Sequence, residues 1–305
     1  MERDLLSIAD LGPEEIAALV RRARVLKRGA APPVLSGRTV ALLFEKPSLR
    51  TRASFQVAVH QLGGFSLFFG REEVGLGQRE PVSDVARVLG RYVDGIVARV
   101  FAHQTLVDLA RYAPVPVVNA LSDWEHPCQA LADVLTVEER KGGLQGVTVA
   151  YIGDGNNNCA RSLALAAASL GASVRLASPP GYGLDEQSLA LAQQRAARHG
   201  ASVRQLRDPQ EAARDADVLY TDVWTSMGQE GEAQARRRAF AGYTVDEGLL
   251  RLAARDAIVM HPMPAHYGEE VPPGMLEHPQ SVAYDQAENR LHAQKAVLES
   301  LLAGG

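Results

Sequence analysis

The chain has 305 residues, 46% hydrophobic and 22% charged, an ordinary globular composition with enough apolar material for two domains. A formal net charge of −4 with scattered Lys and Arg excludes the basic stripe of a nucleic-acid surface, and no apolar run nears the roughly 20 residues that span a bilayer. Cys128 and Cys159 are too few for a disulfide framework and lack zinc-site spacing, and the start at Met1 opens no signal peptide, so a cytoplasmic protein with reduced thiols and no structural metal is expected.

An amphipathic helix is expected over 13–27. Apolar strand-like runs at 39–44, 65–69, 95–100 and 115–119 then alternate with helix-patterned runs at 52–62, 83–92, 104–112 and 127–140. This is the rhythm of a parallel sheet covered on both faces. Glycines at 142, 143 and 146 interrupt it as a domain boundary would. The rhythm resumes with strands at 147–153, 173–178, 202–206, 218–223, 257–261 and 281–284, and with helical runs such as 159–170 and 184–199. A last helix, 287–302, carries apolar Leu291, Ala296, Val297, Leu301 and Leu302. The expectation is two open parallel-sheet α/β domains with helices on both faces. One comprises residues 1–141 with 287–305, the C-terminal helix packing back on it, and the other 142–286.

Open parallel sheets bind ligands at the carboxyl ends of their strands. After the first strand comes Glu45-Lys46-Pro47-Ser48-Leu49-Arg50-Thr51-Arg52, opening a helix. A helix N-terminus offers unpaired N–H groups and partial positive charge, and Ser48, Arg50, Thr51 and Arg52 add hydroxyls and guanidinium forks, so a phosphate-type cradle is expected. After the fourth strand, His126-Pro127-Cys128-Gln129 brings an imidazole and a carboxamide to the same edge, suited to polarising a carbonyl. Arg99, closing the third strand, and Arg290, opening the last helix, belong there too.

Gly153-Asp154-Gly155-Asn156-Asn157-Asn158 fails as a dinucleotide fingerprint, because Asn158 replaces the third glycine and the next strand ends in Ser178 without an acidic residue. A polar small molecule suits it better. Asp222 is placed for a ligand amine, and the turn Ser226-Met227-Gly228 for a carboxylate. Arg236-Arg237-Arg238 reads as a solvated helix face. In His261-Pro262-Met263-Pro264 the prolines favour an extended backbone whose carbonyls are left to accept from a ligand NH₂.

Together these segments resemble the aspartate/ornithine carbamoyltransferase family over essentially the whole chain. Ser48-Leu49-Arg50-Thr51-Arg52 is similar to its carbamoyl-phosphate signature Ser-Thr-Arg-Thr-Arg, with Leu49 replacing the first Thr, and His126-Pro127-Cys128-Gln129 matches its second signature. Asp222 with Ser226-Met227-Gly228 points to the ornithine branch. The resemblance implies a phosphate grip by Ser48, Leu49, Arg50, Thr51 and Arg99. It implies a carbamoyl grip by His126, Pro127, Cys128, Gln129 and Arg290, aided by Pro262 and Met263. Arg50, Arg99, His126, Gln129, Pro262 and Met263 would be catalytic, and Asn158, Asp222, Ser226 and Met227 would hold ornithine.

It further implies a trimer or multiple of trimers and no cofactor or metal. The family's ornithine branch typically has His-Cys-Leu-Pro where this chain has His261-Pro262-Met263-Pro264, and Gly75 stands where many relatives place a Gln. A different amine acceptor, or a ligand-binding relative with weak turnover, therefore stays open beside the ornithine reading. Arg50→Ala is expected to abolish carbamoyl phosphate binding in calorimetry while circular dichroism stays that of the wild type; retained binding contradicts the cradle.

Overall fold

The computed structural model describes residues 4–29, 31–226 and 228–303. The chain divides into two compact units, Met1–Leu135 with Asn289–Gly305, and Thr136–Glu288.

The first unit contains α1 (Pro13–Arg28), β1 (Thr39–Phe44), α2 (Leu49–Gln61), β2 (Phe65–Phe69), α3 (Arg71–Val74), α4 (Val82–Leu89), β3 (Gly95–Arg99), α5 (His103–Tyr112) and β4 (Val117–Leu121). It also holds the start of α6 (Pro127–Lys141) and most of the last helix. All pairings are parallel, in the order β2-β1-β3-β4. β1 and β3 are buried along nearly their whole length because helices cover both faces, which is why they read as unbroken apolar runs. From β1 the chain first crosses to β2 on one side and then to β3 on the other, so the loops after β1 and β3 diverge and leave a crevice. Register sets Phe44 opposite Arg99 at its rim.

The β4 edge is covered by the N-terminal segment. Leu5 bridges Val118 in parallel, its N–H reaching Val117 O at 2.9 Å and its carbonyl accepting from Asn119 N at 2.8 Å.

The second unit contains β5 (Thr148–Ile152), α7 (Asn158–Ser169), β6 (Ser173–Ala177), α8 (Glu186–Ala197), β7 (Val203–Leu206), α9 (Pro209–Ala213), β8 (Val218–Tyr220), α10 (Ala233–Ala239), α11 (Glu247–Leu250) and β9 (Ile258–Met260), and α12 (Ala283–Leu302) begins there. Its parallel order is β7-β6-β5-β8-β9, with the reversal between β5 and β8. Ile152, Leu219, Val259, Trp224 and Phe240 lie in its buried core.

The expected return of the C-terminal helix to the first domain is observed. From Asn289 onward α12 is tied to α1 by the Arg22–Glu299 pair (2.5 and 2.7 Å), by Lys27 to Asn289 (2.8 Å), and by buried Lys295, whose ammonium donates to the Leu26 carbonyl and Gln61 Oε1, both at 3.0 Å. Gly95 is bare because a Cβ there would come within 3.1 Å of the Leu302 side chain.

Three expectations need correction. No strand forms over 281–284: Ser281 makes a single bridge to Val259, and α12 starts at Ala283, ahead of the expected 287. The fourth strand lies two residues later than expected because Pro114 and Pro116 have no N–H for a ladder. The Arg236–Arg238 run is not uniformly solvated, since Arg236 is buried and donates to Asp154 Oδ2 (2.7 Å), the Trp224 carbonyl (3.0 Å) and Glu232 (3.0 Å). Arg236→Ala leaves the Asp154 carboxylate buried without its cation and should lower the unfolding free energy by about 3 kcal/mol in urea titration. Arg237→Ala, on an exposed pair, should cost under about 1 kcal/mol; equal losses contradict the assignment.

Candidate active site

Ser48 ends the loop after β1 and caps α2. Its extended backbone (φ −163°) lets the side-chain oxygen accept from Thr51 N–H at 3.3 Å while its own proton goes to Thr51 Oγ1 at 3.0 Å. The first intrahelical bond is Arg52 N to Ser48 O at 3.2 Å, so the N–H groups of Leu49 and Arg50 precede it at the helix mouth. Leu49 is 82% exposed and brings only that backbone group. Arg50 is half-buried, and burial lowers its pKa. Arg52 lies over the Phe68 ring, 3.7 Å from its centroid.

Arg290, from α12, donates Nη2 to Thr51 Oγ1 at 2.5 Å, and Arg99 is buried where β3 ends. Both guanidinium groups act on His126. Burial holds its pKa well below the usual imidazole value, and the charges of Arg290 and then Arg99 push it the same way. His126 is therefore a neutral imidazole at pH 7, beside two permanent cations. Gln129, one helical step on, donates Nε2 to buried Asp133 at 2.8 Å. A carboxylate can only accept, so this bond fixes the amide's orientation and leaves buried Oε1 as an acceptor with no partner among the described residues. Pro127 opens α6. The Cys128 thiol packs 3.8 Å from the Asn119 carbonyl, and burial pushes its pKa up to about 12.

In the second unit, Asn157 caps α7: Oδ1 accepts from Ala160 N at 2.7 Å, and Nδ2 donates to Tyr151 Oη at 2.9 Å and Asp222 Oδ2 at 3.1 Å. This bond joins the loops after β5 and β8 at the strand-order reversal. Asp222 is buried and also accepts from Val223 N at 2.8 Å; burial raises its pKa. Asn158 begins α7, half-buried. Ser226 is half-buried and its N–H donates to Gln229 Oε1 at 3.0 Å. Met227, expected beside it, lies outside the described residues.

After β9, Pro262 is buried and Met263 half-buried. The expected extended backbone does not hold at Met263, whose φ is +53°. Its N–H turns back to His261 Nδ1 at 2.8 Å, so the ring proton sits on Nε2 and points at Glu270 Oε1, 3.1 Å away. Gln286 Oε1 accepts from the His261 N–H at 2.8 Å. His266, Glu269 and Glu270 hold ligand-type atoms within 4.8 Å of one another, and Glu269 is paired with Arg237 at 2.7 Å.

Thus Ser48, Thr51 and Arg290 are joined by hydrogen bonds, with Leu49 and Arg50 on the same helix turn. Arg99 and His126, with Gln129 and the thiol of Cys128 on the following turn, belong to the same unit; Asn158, Asp222, Ser226, Pro262 and Met263 follow strands of the other. The sequence does not single out Asn157, Tyr151, Glu270 and Gln286: the Asn157–Asp222 and His261–Gln286 bonds span 65 and 25 residues, and the nearer Tyr151–Asn157 and His261–Glu270 bonds follow neither a helix nor a strand period. Only the Asn run hinted at one of them.

Two parallel α/β units, one with a cationic helix mouth and one with a buried carboxylate at its strand reversal, have the architecture of a two-domain transferase. The carbamoyl-P binding domain of aspartate/ornithine carbamoyltransferase matches residues 3–139, and the family's Asp/Orn binding domain matches residues 145–301. Ornithine carbamoyltransferase from Acidothermus cellulolyticus is 57% identical over 309 residues, covering 100% of this chain and 99% of the relative. The enzyme of Pyrococcus furiosus named "ornithine carbamoyltransferase, anabolic" is 50% identical over 306 residues, covering 99% of this chain and 97% of its own. The solved ornithine carbamoyltransferase structure from Pyrococcus furiosus superposes with a TM-score of 0.96 at 50% identity, over 99% of this chain and 98% of that one. The chain belongs to the aspartate/ornithine carbamoyltransferase family.

The depressed His126 pKa means that the folded state binds fewer protons than the unfolded chain, so stability falls as pH drops below the ordinary imidazole value of about 6.5. In NMR the His126 ring should stay neutral from pH 8 to pH 6; a titration centred near 6.5 contradicts the site's electrostatics. Cys128 should resist alkylation at pH 8 until the protein unfolds, and rapid native labelling contradicts its burial.

Proposed function

We infer that the chain transfers the carbamoyl group of carbamoyl phosphate to the side-chain amine of L-ornithine, giving L-citrulline and phosphate. The observation that carries this reading is the Ser48–Thr51–Arg290 contact at the α2 mouth, in the company of neutral His126, in a chain 57% identical to an ornithine carbamoyltransferase over its full length.

Residues 1–141 with 287–305 take carbamoyl phosphate in this reading, and 142–286 take ornithine. Ser48, the Leu49 N–H, Arg50, Thr51 and Arg99 hold the phosphate and neutralise it as it leaves. His126 and Arg290 donate to the carbamoyl oxygen, Gln129 Oε1 accepts from its amide, and Pro127 and Cys128 supply the helix start that carries them. Pro262 and Met263 offer carbonyls to the ligand N–H groups. Asn158, Asp222, Ser226 and Met227 hold the α-amino and α-carboxylate groups of ornithine.

The attacking amine, with an ordinary pKa of about 10.4 by analogy with Lys, must be neutral to react. Its nitrogen forms a bond to the carbamoyl carbon, the bond from that carbon to the phosphate oxygen breaks with its electron pair going to the leaving phosphate, and the proton the amine gives up is taken by that phosphate. The negative charge that grows on the carbamoyl oxygen is met by donors already in place. A neutral His126 suits this because it donates without adding a third charge beside Arg99 and Arg290. No covalent enzyme intermediate is required.

We place the reaction in the arginine-forming direction, following the relative named anabolic, in a cytoplasmic trimer or multiple of trimers. Among the described residues no helix is long and apolar enough to cross a membrane. Pro262 favours testing a second reading, a different amine acceptor, while Asp222 and the 226–228 turn support ornithine. Citrulline should form from millimolar carbamoyl phosphate and ornithine and should exceed product from acetylornithine, putrescine or aspartate; folded protein yielding no citrulline refutes the assignment. Asp222→Ala should lower kcat/KM for ornithine about 100-fold, the worth of a lost charge-assisted bond.

A further inference from the structure

Glu125 precedes His126, is fully buried, and has no role in the ligand grips described above. Its carboxylate accepts from the Ser7 hydroxyl and, at 3.0 Å, from the Ile8 N–H. Both donors belong to the N-terminal segment that lines the β4 edge. The Glu125 backbone is held as firmly: its carbonyl accepts from Ser122 N at 3.0 Å and Asn119 Nδ2 at 3.3 Å, and its N–H donates to Ser122 Oγ at 3.2 Å. Asn119 Nδ2 also reaches the Leu6 carbonyl at 2.8 Å, closing the network onto the same segment. The next carbonyl, that of His126, accepts from Gln129 N (3.0 Å) and Ala130 N (3.2 Å) at the start of α6.

We propose that Glu125 is a positioning residue for His126, and that the N-terminal segment supports the carbamoyl grip through Ser7 and Ile8. A buried carboxylate is an expensive way to fill space, since its desolvation offsets much of what its bonds return and an apolar side chain would fill the volume more stably. What it adds is fixed direction. Glu125 ties the peptide entering His126 to the start of the 3-10 turn Ile8–Asp10, more than a hundred residues away, and it lies at the positive end of α6, where a negative charge is favourable. Releasing it lets the start of α6 drift, moving His126 and Gln129 together while Ser48, Arg50 and Thr51 on α2 stay put. A shift of about 1 Å at groups that must meet a growing oxyanion can cost as much as about 100-fold in rate.

The proposal rests on the carbamoyl-transfer reading, and its test separates the two. Citrulline formation by wild type, Ser7→Ala, Glu125→Gln and Glu125→Ala is measured alongside thermal melting and inhibition by inorganic phosphate, which probes the phosphate grip of α2 and Arg99 without the carbamoyl grip. Glu125→Ala should lose about tenfold or more in kcat, with phosphate inhibition and ornithine KM within about twofold of wild type. Glu125→Gln, which keeps an oxygen for the Ile8 N–H, should recover most of that loss. Ser7→Ala should cost a few-fold alone and nothing further beside Glu125→Ala.

Unchanged kcat with a lowered melting temperature makes Glu125 a stability anchor only and overturns the proposal; so does phosphate inhibition lost in parallel with kcat. If Glu125→Ala does not fold, wild-type kcat in both Ser7→Ala and Glu125→Gln overturns it equally. A wild type that makes no citrulline defeats the functional reading instead. The positioning claim is then decided by the His126 ring resonances, which must move in Ser7→Ala and contradict it by standing still.

Discussion

The hydrogen bond from Arg290 Nη2 to Thr51 Oγ1 joins positions 239 residues apart, and the ligand chemistry proposed for the first unit depends on it. It brings a guanidinium from the last helix to a helix mouth already rich in N–H groups. It also turns Thr51 into a junction, because the same oxygen accepts from Ser48. The interaction is possible because α12 is held along α1 by the Glu299, Asn289 and Lys295 contacts, so the C-terminal helix is as much a part of the candidate site as the segment after β1. Arg290 in turn helps hold His126 neutral, and two cations with a neutral imidazole form a donor set suited to an anion that grows during reaction.

The two units solve the same topological problem twice. A parallel sheet needs crossover connections, and where their direction reverses the strand ends open a crevice whose edges are loops and helix N-termini. In the first unit the crevice is furnished with cations. In the second, Asn157, Asp222 and Tyr151 form a buried hydrogen-bonded set, and the His261–Glu270 pair holds Met263 in a conformation that a non-glycine residue rarely adopts without support. The contrast in charge matches the family's division between a carbamoyl phosphate domain and an amino-acid domain.

Much of this was legible in the sequence, for reasons that differ by residue. Buried parallel strands such as 39–44 and 95–99 stand out because both faces demand apolar side chains, and Ser48 to Arg52 stands out because a cap, two hydroxyls and two guanidiniums share one turn. Arg236 could not be told from Arg237 and Arg238, since only the helix's placement decides which of three identical side chains meets Asp154. The strand expected at 281–284 reflected a short apolar run whose single bridge gives way to helix. The prolines flanking Met263 favour an extended backbone, whereas the His261 side chain decides it. Glu125 carries no signal in the sequence because its partners, Ser7 and Ile8, lie more than a hundred residues away.

The Thr51–Arg290 junction is tested most directly by calorimetric titration of carbamoyl phosphate into wild type and Thr51→Val, a substitution that keeps the side chain's volume and removes the hydroxyl. Saturable binding in the wild type, weakened about tenfold or more in the variant with an unchanged melting profile, is the expected result. Equal affinity in the two proteins would contradict the central role given to that contact.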